Sequence, residues 1–470
     1  MALDVVGEFD GLSLGDHRRV RRVRSAVARL QAQPNWSFPE AMVTRAELEA
    51  FYRLVENDAV SFADLFEPHT QKTRSRCEEL ATVLVVHDTT KFSFVGSERE
   101  GLGPTSSKGH GFLGHFSIAV SADDRREPLG ALAAKTWART ERGVATSIRS
   151  GAISQAEARE LPRESARWAN GVAASEAVLA GTGVSAIHVM DSEGDDYSTF
   201  ASLAERGERF VIRGFQGRKT QLSGGATVTV KQFVAAAPAV ATRTVKLSQR
   251  KKQAYKQPSR RRTQAREGRE AELTIHVERV ELTRPTYVEK TKAPQLAVNV
   301  VYVREVADDV EEPVEWLLYT TEAIDTQENA LRVVDFYRAR WVIEEFFKSL
   351  KTGCAFETRQ LESFHTLENA LALAIPIAWG LLRLRVLARD YPELKASTIL
   401  TKTQITILRK KKLLTTATPS AQLAMQAVAQ LGGHIKNNGQ PGWIVLGRGY
   451  ERLLALEQGF LLAFADSDQS

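Results

Sequence analysis

Cysteine is scarce in this sequence. Among the 470 residues there are two cysteines, Cys77 and Cys354, and neither belongs to a Cys-x-x-Cys motif. Two thiols far apart in the chain support neither a disulfide framework nor a thiolate zinc site. We therefore expect a protein of the reducing cytoplasm.

Long apolar runs are also missing. The longest, from Ala370 to Leu382, has about 13 residues and contains Pro376, whereas a membrane-spanning helix needs about 20 residues. The first residues lack the basic start and apolar run of a signal peptide. We expect a buried helix at 370–382 and no membrane anchor.

The net charge of +6 is small, but the basic residues are concentrated in two blocks. Residues 17–30 hold six arginines and no acid, and residues 243–270 hold eleven lysines or arginines against two glutamates. Cations that neutralise phosphates release counterions, so such blocks suit a polyanion. A solvated basic loop is the alternative for residues 243–270.

The first basic block lies in a predicted helix at residues 13–32. Its apolar face consists of Val20, Val23, Val27 and Leu30. A second helix is predicted from Thr44, with Glu47 completing a capping box, and a third near Phe62. A basic helical unit of about 70 residues is typical of DNA-binding domains, although helical regulatory domains share the pattern.

From Leu80 the pattern predicts strands. The β-branched run 81–87 ends at Asp88, strands follow at 116–121 and 128–137, and a helix at 164–182 precedes a strand at 185–190 that stops at Asp191. Three strands, a helix and a further strand are the order of a ribonuclease-H-like core, in which the first and fourth strands lie side by side. We predict an α/β fold with such a core.

The stretch from Tyr337 to Gly353 predicts an amphipathic helix. A carboxylate and cations share one arc (Tyr337, Arg340, Glu344, Lys348 and Lys351). We expect the helix to run from about Thr326 to Thr352, with Asp325 as N-cap and a left-handed Gly353 at its end. A solvated polar face is the alternative interpretation.

Two aspartates after buried strands and a glutamate on a later helix form a set of hard oxygen ligands, as Mg²⁺ prefers. Spacing alone leaves Glu193, Asp195 and Asp196 open as ligands beside Asp191, and Glu345 open beside Glu344.

The spacing Tyr-x-x-Arg-x-x-x-Glu-x-x-x-x-x-x-Lys at 337, 340, 344 and 351 resembles the signature of bacterial cut-and-paste DDE transposases of the Tn-five type. The run Asp-x-Glu-x-Asp from Asp191 and the start Leu14-Gly15-Asp16 are also similar to that family. The resemblance implies a transposase that binds inverted transposon ends, synapses two of them as a dimer, nicks, forms a hairpin and joins 3′ ends to target DNA. The alternatives are a catalytically inactive DNA-binding regulator and a structure-specific nuclease.

The resemblance also implies roles for single residues. Asp88, Asp191 and Glu344 would hold two Mg²⁺ ions, with Mn²⁺ as a substitute. DNA contacts would come from Tyr337, Arg340, Lys348, Lys351, Arg213, Trp316, Arg18, Arg19 and Arg22. Within that set, Trp316 would stack on a base turned out of the helix, unless it is a core residue of its strand.

Three domains follow from this interpretation. Residues 1–72 would form a helical DNA-binding domain, and residues 73–365 the catalytic core with a β-rich insertion at about 214–313. Residues 366–470 would form a helical dimerisation domain. The expected partners are double-stranded DNA, as transposon ends and target, and a second copy of the chain, in the nucleoid of a bacterial cytoplasm.

Overall fold

The computed structural model describes residues 5–32, 34, 37–96, 99–105, 109–139, 164–221, 227–247, 268–306, 313–435 and 440–465. The chain divides into two units, the first comprising Met1–Ala186 and Trp341–Ser470 and the second Ile187–Arg340. The basic clusters Arg250-Lys-Lys and Arg260-Arg-Arg lie outside the described residues.

The first unit begins with helices. They are α1 (His17–Ala32), α2 (Phe38–Ala41), α3 (Arg45–Val55) and α4 (Phe62–Glu78). The predicted capping box is confirmed at α3, where Thr44 Oγ1 accepts from Glu47 N and the Glu47 carboxylate accepts from Thr44 N. Such boxes satisfy amides that a helix start leaves unpaired.

An antiparallel sheet follows, built from β1 (Thr82–Phe94), β2 (Gly103–Pro104), β3 (His110–Ser121) and β4 (Pro128–Trp137). β3 pairs with β1, β2 and β4. Helix α5 (Ala166–Leu179) packs on β3 and β4. The next strand, β5 (Ser185–Met190), starts beside β1, since Ser185 N donates to Ala81 O at 3.0 Å.

The first unit ends in helices. They are α9 (Trp341–Lys348), a π-helix (Ser349–Gly353), α10 (Phe364–Asp390), α11 (Lys402–Lys410), α12 (Ala421–Leu431) and α13 (Trp443–Ala465). By length and apolar composition α10 could cross a membrane, but 83% of its most apolar window is buried inside the protein. It is therefore a core helix, as predicted for 370–382, and Pro376 lies inside it.

Buried side chains join the N-terminal helices to the rest of the first unit. Asn369 Nδ2 on α10 donates to the carbonyl of Val55, the last residue of α3, and to that of Val60 in the segment after it. His69 on α4 contacts the carboxylate of Glu8 at 2.6 Å through Nδ1 and accepts from Ala131 N on β4 through Nε2. The domain boundaries at 72 and 365 stay a prediction, and α4 runs across the first of them.

The second unit contains a mixed sheet. It comprises β5 and β6 (Arg209–Arg213), then β12 (Glu315–Thr320), β11 (Gln295–Glu305), β10 (Arg269–Thr283) and β9 (Ala239–Leu247). β5 and β6 are parallel and the later pairs antiparallel. Among its described residues the unit also contains a hairpin and three α-helices: β7 (Lys219–Gln221), β8 (Thr227–Thr229), α6 (Tyr197–Glu205), α7 (Val230–Ala235) and α8 (Gln327–Ala339).

The predicted continuous helix from Thr326 to Thr352 is wrong in three respects. α8 ends at Ala339, α9 begins at Trp341, and residues 349–353 are π-helical. The N-cap is Thr326, whose hydroxyl accepts from Asn329 N, while Asp325 accepts from the Asn329 side chain. The left-handed residue is Ala355, at φ 48°, instead of Gly353.

Candidate active site

Asp88 lies in the middle of β1, because the strand continues to Phe94 instead of ending at the aspartate. It is directly opposite Phe116 of β3, so the two side chains share one face of the sheet. Thr89 N donates to Asp88 Oδ1 at 2.7 Å, which restricts the orientation of the carboxylate. The predicted acid is thus on a strand that pairs with β3 from Val83 to Phe94.

The helix that carries Glu344 packs on that same face. The ring of Phe116 lies 5.7 Å from Phe346 and 5.6 Å from Phe347, and α9 contacts β1. Glu344 is half-buried, as is Asp88. The first unit therefore places Asp88 and the Glu344 helix together.

Glu345 is a structural residue of this helix. Its Oε1 accepts from Lys348 at 2.7 Å, and its Oε2 lies 3.1 Å from Arg385 and 3.2 Å from Trp443 Nε1. Burial by itself raises the pKa of Glu345, but the Lys348 hydrogen bond and the Arg385 charge outweigh it and lower that pKa. Both carboxylate oxygens of Glu345 are bound by protein groups, which disfavours Glu345 as the alternative to Glu344 as a metal ligand.

The two predicted lysines have different surroundings. Lys348 is exposed, bonded to Glu345 and 5.1 Å from the ring of Trp341, whose side chain is 52% exposed and was not predicted as part of the site. Lys351 donates to the carbonyl of Lys91, three residues after Asp88, and lies 3.6 Å from Glu357. The partner Glu357 was not predicted either, since only the return of the chain beyond the π-helix brings it to β1.

In the second unit, Asp191 follows β5 and Arg213 ends β6. Met190 and Ile212 are partners in the parallel pair, so the two charged residues lie at the same end of adjacent strands. Asp191 Oδ1 also accepts from Glu193 N at 2.8 Å and caps a short 3₁₀-helix at Ser192–Gly194. This is the strand-end position that sequence predicted for Asp191.

Tyr337, Trp316 and Arg340 gather near this strand end. The Trp316 and Tyr337 rings meet edge to face at 5.2 Å, and the Arg340 guanidinium lies 5.9 Å from the Tyr337 ring. Burial raises the pKa of Tyr337, the cations Arg340 and Arg213 lower it, and the Asp191 charge raises it. Three predicted residues, Arg340, Arg213 and Asp191, therefore lie close enough to affect the Tyr337 hydroxyl. A fourth, Trp316, packs against the Tyr337 ring.

Another acid of the run, Asp195, is buried and bonded to the protein. Its Oδ2 accepts from the amides of Phe215 and Gln216 at 2.7 Å each, and its Oδ1 forms an ion pair of 2.5 Å with Arg218. A carboxylate with these partners is unsuited to a metal, so Asp195 is disfavoured as a ligand, and Glu193 and Asp196 stay open beside Asp191.

On α1, the arginines divide into two groups. Arg24 pairs with Asp10 at 3.0 Å, and Arg19 donates to the Leu14 carbonyl. Arg18 and Arg22 are exposed, and within the described part of the chain neither forms a side-chain ion pair. The apolar residues Val23, Val27 and Leu30 are buried beneath them, so a row of cations faces solvent.

The donor atoms fit the predicted metal. The α9 face of β1 presents carboxylate oxygen at Asp88, whereas the neighbouring His87 is buried and bonded to Ser117 Oγ at 2.9 Å. Mg²⁺ takes oxygen ligands and only one or two carboxylates beside waters and phosphates.

Two regions of the chain match known protein families. Residues 5–60 match the family described as transposase DNA-binding, and residues 176–379 match the transposase DDE domain. These matches support a DDE transposase. The DNA-binding match covers the arginines of α1, and the DDE match includes Asp191 and Glu344 but starts after Asp88. A DDE transposase domain implies a DNA-cleaving and DNA-joining enzyme that uses divalent metal ions.

Proposed function

We propose that the protein is a cut-and-paste DNA transposase of the Tn-five type. It binds the inverted ends of a mobile element, pairs two ends as a homodimer, cleaves each through a nick and a hairpin, and joins the 3′ ends to target DNA. The observation that carries the proposal is the pairing of Asp88 with the Glu344 helix across Phe116, in a chain that also matches both transposase families.

Asp88, Asp191 and Glu344 are the proposed ligands of two Mg²⁺ ions, which Mn²⁺ can replace. When bound, the two ions activate water or a 3′ hydroxyl and stabilise the leaving oxygen. The commitment of Glu345 and Asp195 to protein cations supports this choice of acids.

The cations have a positioning role in the proposal. Arg213 and Arg340 flank Tyr337, so a phosphate bound there is held by two guanidinium groups and a hydroxyl. Lys348 and Lys351 grip the strand next to Glu344. Phosphate contacts fix register and carry no sequence information, so recognition of the ends is assigned to α1, through Arg18, Arg19 and Arg22.

Trp316 is the proposed platform for a base displaced during hairpin formation. It is half-buried and packs edge-on against Tyr337. Stacking on an aromatic side chain returns about 1–3 kcal/mol per base. A DNA-binding transposase acts where the chromosome is, so we place it in the bacterial cytoplasm at the nucleoid.

The proposal is tested with a radiolabelled duplex that carries the element's inverted end, a random duplex of equal length and a circular plasmid. We expect Mg²⁺-dependent nicking and hairpin formation on the end duplex, and strand transfer into the plasmid. Binding to the end without cleavage in Mg²⁺ or Mn²⁺ would indicate a DNA-binding regulator. Equal cleavage of all three substrates would indicate a nuclease.

A further inference from the structure

The residues on either side of Asp88 in β1 point away from it, to the opposite face of the sheet. There, the ring of His87 stacks on that of His115 at 6.0 Å with an interplanar angle of 15°. The ring of Trp168, on α5, meets His115 edge-on at 5.0 Å. Thus α5 covers the back of the strand segment that carries the proposed metal ligand.

Thr89 lies at the centre of hydrogen bonds on this back face. Its hydroxyl oxygen accepts from Arg167 Nε at 2.8 Å and lies 2.9 Å from His115 Nδ1. Arginine can only donate, so the hydroxyl accepts from Arg167 and uses its proton or its second lone pair for the contact with His115 Nδ1. Burial lowers the pKa of His115 to about 3, so its ring is neutral.

The backbone amide of Thr89 bonds to Asp88, on the other side of the strand from the Thr89 side chain. Thr89 N donates to Asp88 Oδ1 at 2.7 Å, so the residue whose side chain Arg167 holds is also the residue that orients the Asp88 carboxylate. One residue therefore bonds both to Arg167, through its side chain, and to the Asp88 carboxylate, through its amide.

Close packing keeps the back face rigid. A Cβ atom at Gly171 of α5 would lie 2.8 Å from His115 Nε2 and 3.1 Å from His87 Nδ1, so the helix backbone approaches the histidines as near as a glycine allows. His87 is further bonded to Ser117. Thr89 is therefore held by groups that have little freedom of their own.

We infer that Arg167 and Thr89 are positioning residues for Asp88: the Arg167 guanidinium holds the Thr89 hydroxyl, and the Thr89 amide orients the metal-binding carboxylate. The inference rests on the proposed function, in which Asp88 is a metal ligand. Groups that orient a metal ligand change metal affinity or activity by about 10- to 100-fold when removed. Mg²⁺ is the more sensitive ion, because it demands near-ideal octahedral geometry.

The test compares Arg167→Gln and Thr89→Val with the wild-type chain in nicking of end DNA, over a range of Mg²⁺ and Mn²⁺ concentrations. A cavity of about 420 Å³ between β4 and α5 is lined in part by Arg167, so the shorter glutamine is accommodated without overpacking. Lys135→Gln is the matched control, since Lys135 lines the same cavity and is exposed.

For both variants we expect a rise of about 10- to 100-fold in the Mg²⁺ concentration that gives half-maximal nicking, with substantial recovery in Mn²⁺. End binding in Ca²⁺ and the melting temperature should stay close to wild type, and Lys135→Gln should behave as wild type. Thr89→Ser retains the hydroxyl, so it should show nearly the wild-type Mg²⁺ response. This variant and Arg167→Gln still test the inference if Thr89→Val folds poorly.

Three results would overturn the inference: an unchanged Mg²⁺ response in Arg167→Gln, an equal loss of rate in Mg²⁺ and Mn²⁺ accompanied by a lower melting temperature, or no recovery in Thr89→Ser. Asp88→Ala, measured in parallel, separates this failure from that of the proposed function. If Asp88→Ala is inactive while Arg167→Gln is normal, only the positioning role is wrong. If Asp88→Ala nicks as well as wild type, the proposed metal site is wrong.

Discussion

The acidic run Asp191–Asp196 and the acidic pair Glu344–Glu345 lie in different units, and in both an acid held by the protein stands close to a proposed metal ligand. Asp195 is bound by Arg218 and two backbone amides, and Glu345 by Lys348, Arg385 and Trp443. Asp191 and Glu344 are half-buried. Burying a carboxylate requires compensating partners, and a carboxylate whose oxygens already have them cannot exchange them for a metal without cost.

The comparison is tested most directly at Asp191 and Asp195. Asp191→Asn preserves the size of the side chain and removes its charge, so we expect cleavage to fall by roughly three orders of magnitude, with end binding and melting temperature nearly unchanged. Asp195→Asn should instead lose about 3 kcal/mol of unfolding free energy, since Arg218 stays buried without its counter-ion.

Cleavage per folded molecule in Asp195→Asn should stay within a few-fold of wild type, measured below its melting temperature with the folded fraction determined by circular dichroism. A stable Asp195→Asn protein that cannot cleave would assign the metal to Asp195. A cleaving Asp191→Asn protein would exclude Asp191 as a ligand and leave the other acids of the run as candidates.

The Glu344–Glu345 pair gives the next largest effect. Glu344→Gln should abolish cleavage, whereas Glu345→Gln should cost about 2 kcal/mol of unfolding free energy by weakening charge-assisted hydrogen bonds. Because its partners lower the pKa of Glu345 in the folded state, its contribution is fully present above the ordinary glutamate value of about 4.3. That contribution disappears as pH falls through the lower folded-state pKa.

Urea unfolding of wild type and Glu345→Gln at pH 7 and at decreasing pH measures this difference. The two proteins should differ at pH 7 and converge in acid. A constant difference at all pH values would show that packing, and not the charge of Glu345, is responsible.

Trp316 gives the smallest expected effect. Trp316→Ala should leave the first nick at its wild-type rate, because nicking needs only the metal site and an unbent backbone. Hairpin formation should slow by about tenfold, in line with about 1–3 kcal/mol for a stacked base. A time course on denaturing gels separates the two steps, and Trp316→Phe, which keeps an aromatic face, is the control. Equal loss of both steps, or insolubility, would make Trp316 a core residue of β12.

Local signals predicted the elements that depend on neighbours in sequence. The capping box at Thr44 and Glu47, the strands Pro128–Trp137 and Ser185–Met190, and the aspartate that follows the second of them were all predicted from sequence and are present. The predicted end of β1 at Asp88 was wrong, because residues 89–94 continue the strand by pairing with β3 residues 110–115. That pairing is a long-range contact that the polar residues Thr89, Thr90 and Lys91 do not reveal.

The prediction of one continuous helix from Thr326 to Thr352 was wrong for a related reason. Its apolar and polar arcs are periodic through Arg340, and no proline or glycine marks the break between α8 and α9. Asp325 and Glu328 have the spacing of a capping box, which predicts Asp325 as the N-cap. In the structure the Thr326 hydroxyl accepts from Asn329 N and caps the helix. Two adjacent residues with capping side chains are distinguished only by the backbone they adopt.

The sequence by itself predicted the chemistry to expect: one acid after the apolar run that begins β1, one acid after β5, a glutamate on an amphipathic helix among cations, and a basic helical start. Tertiary structure decided which of several adjacent acids are bound by the protein, because Arg218, Arg385 and Trp443 reach Asp195 and Glu345 from 23, 40 and 98 residues away. It also placed Arg167 behind Thr89, 78 residues apart in the chain. Periodicity reports the face on which a side chain lies, whereas its partners depend on how distant segments pack.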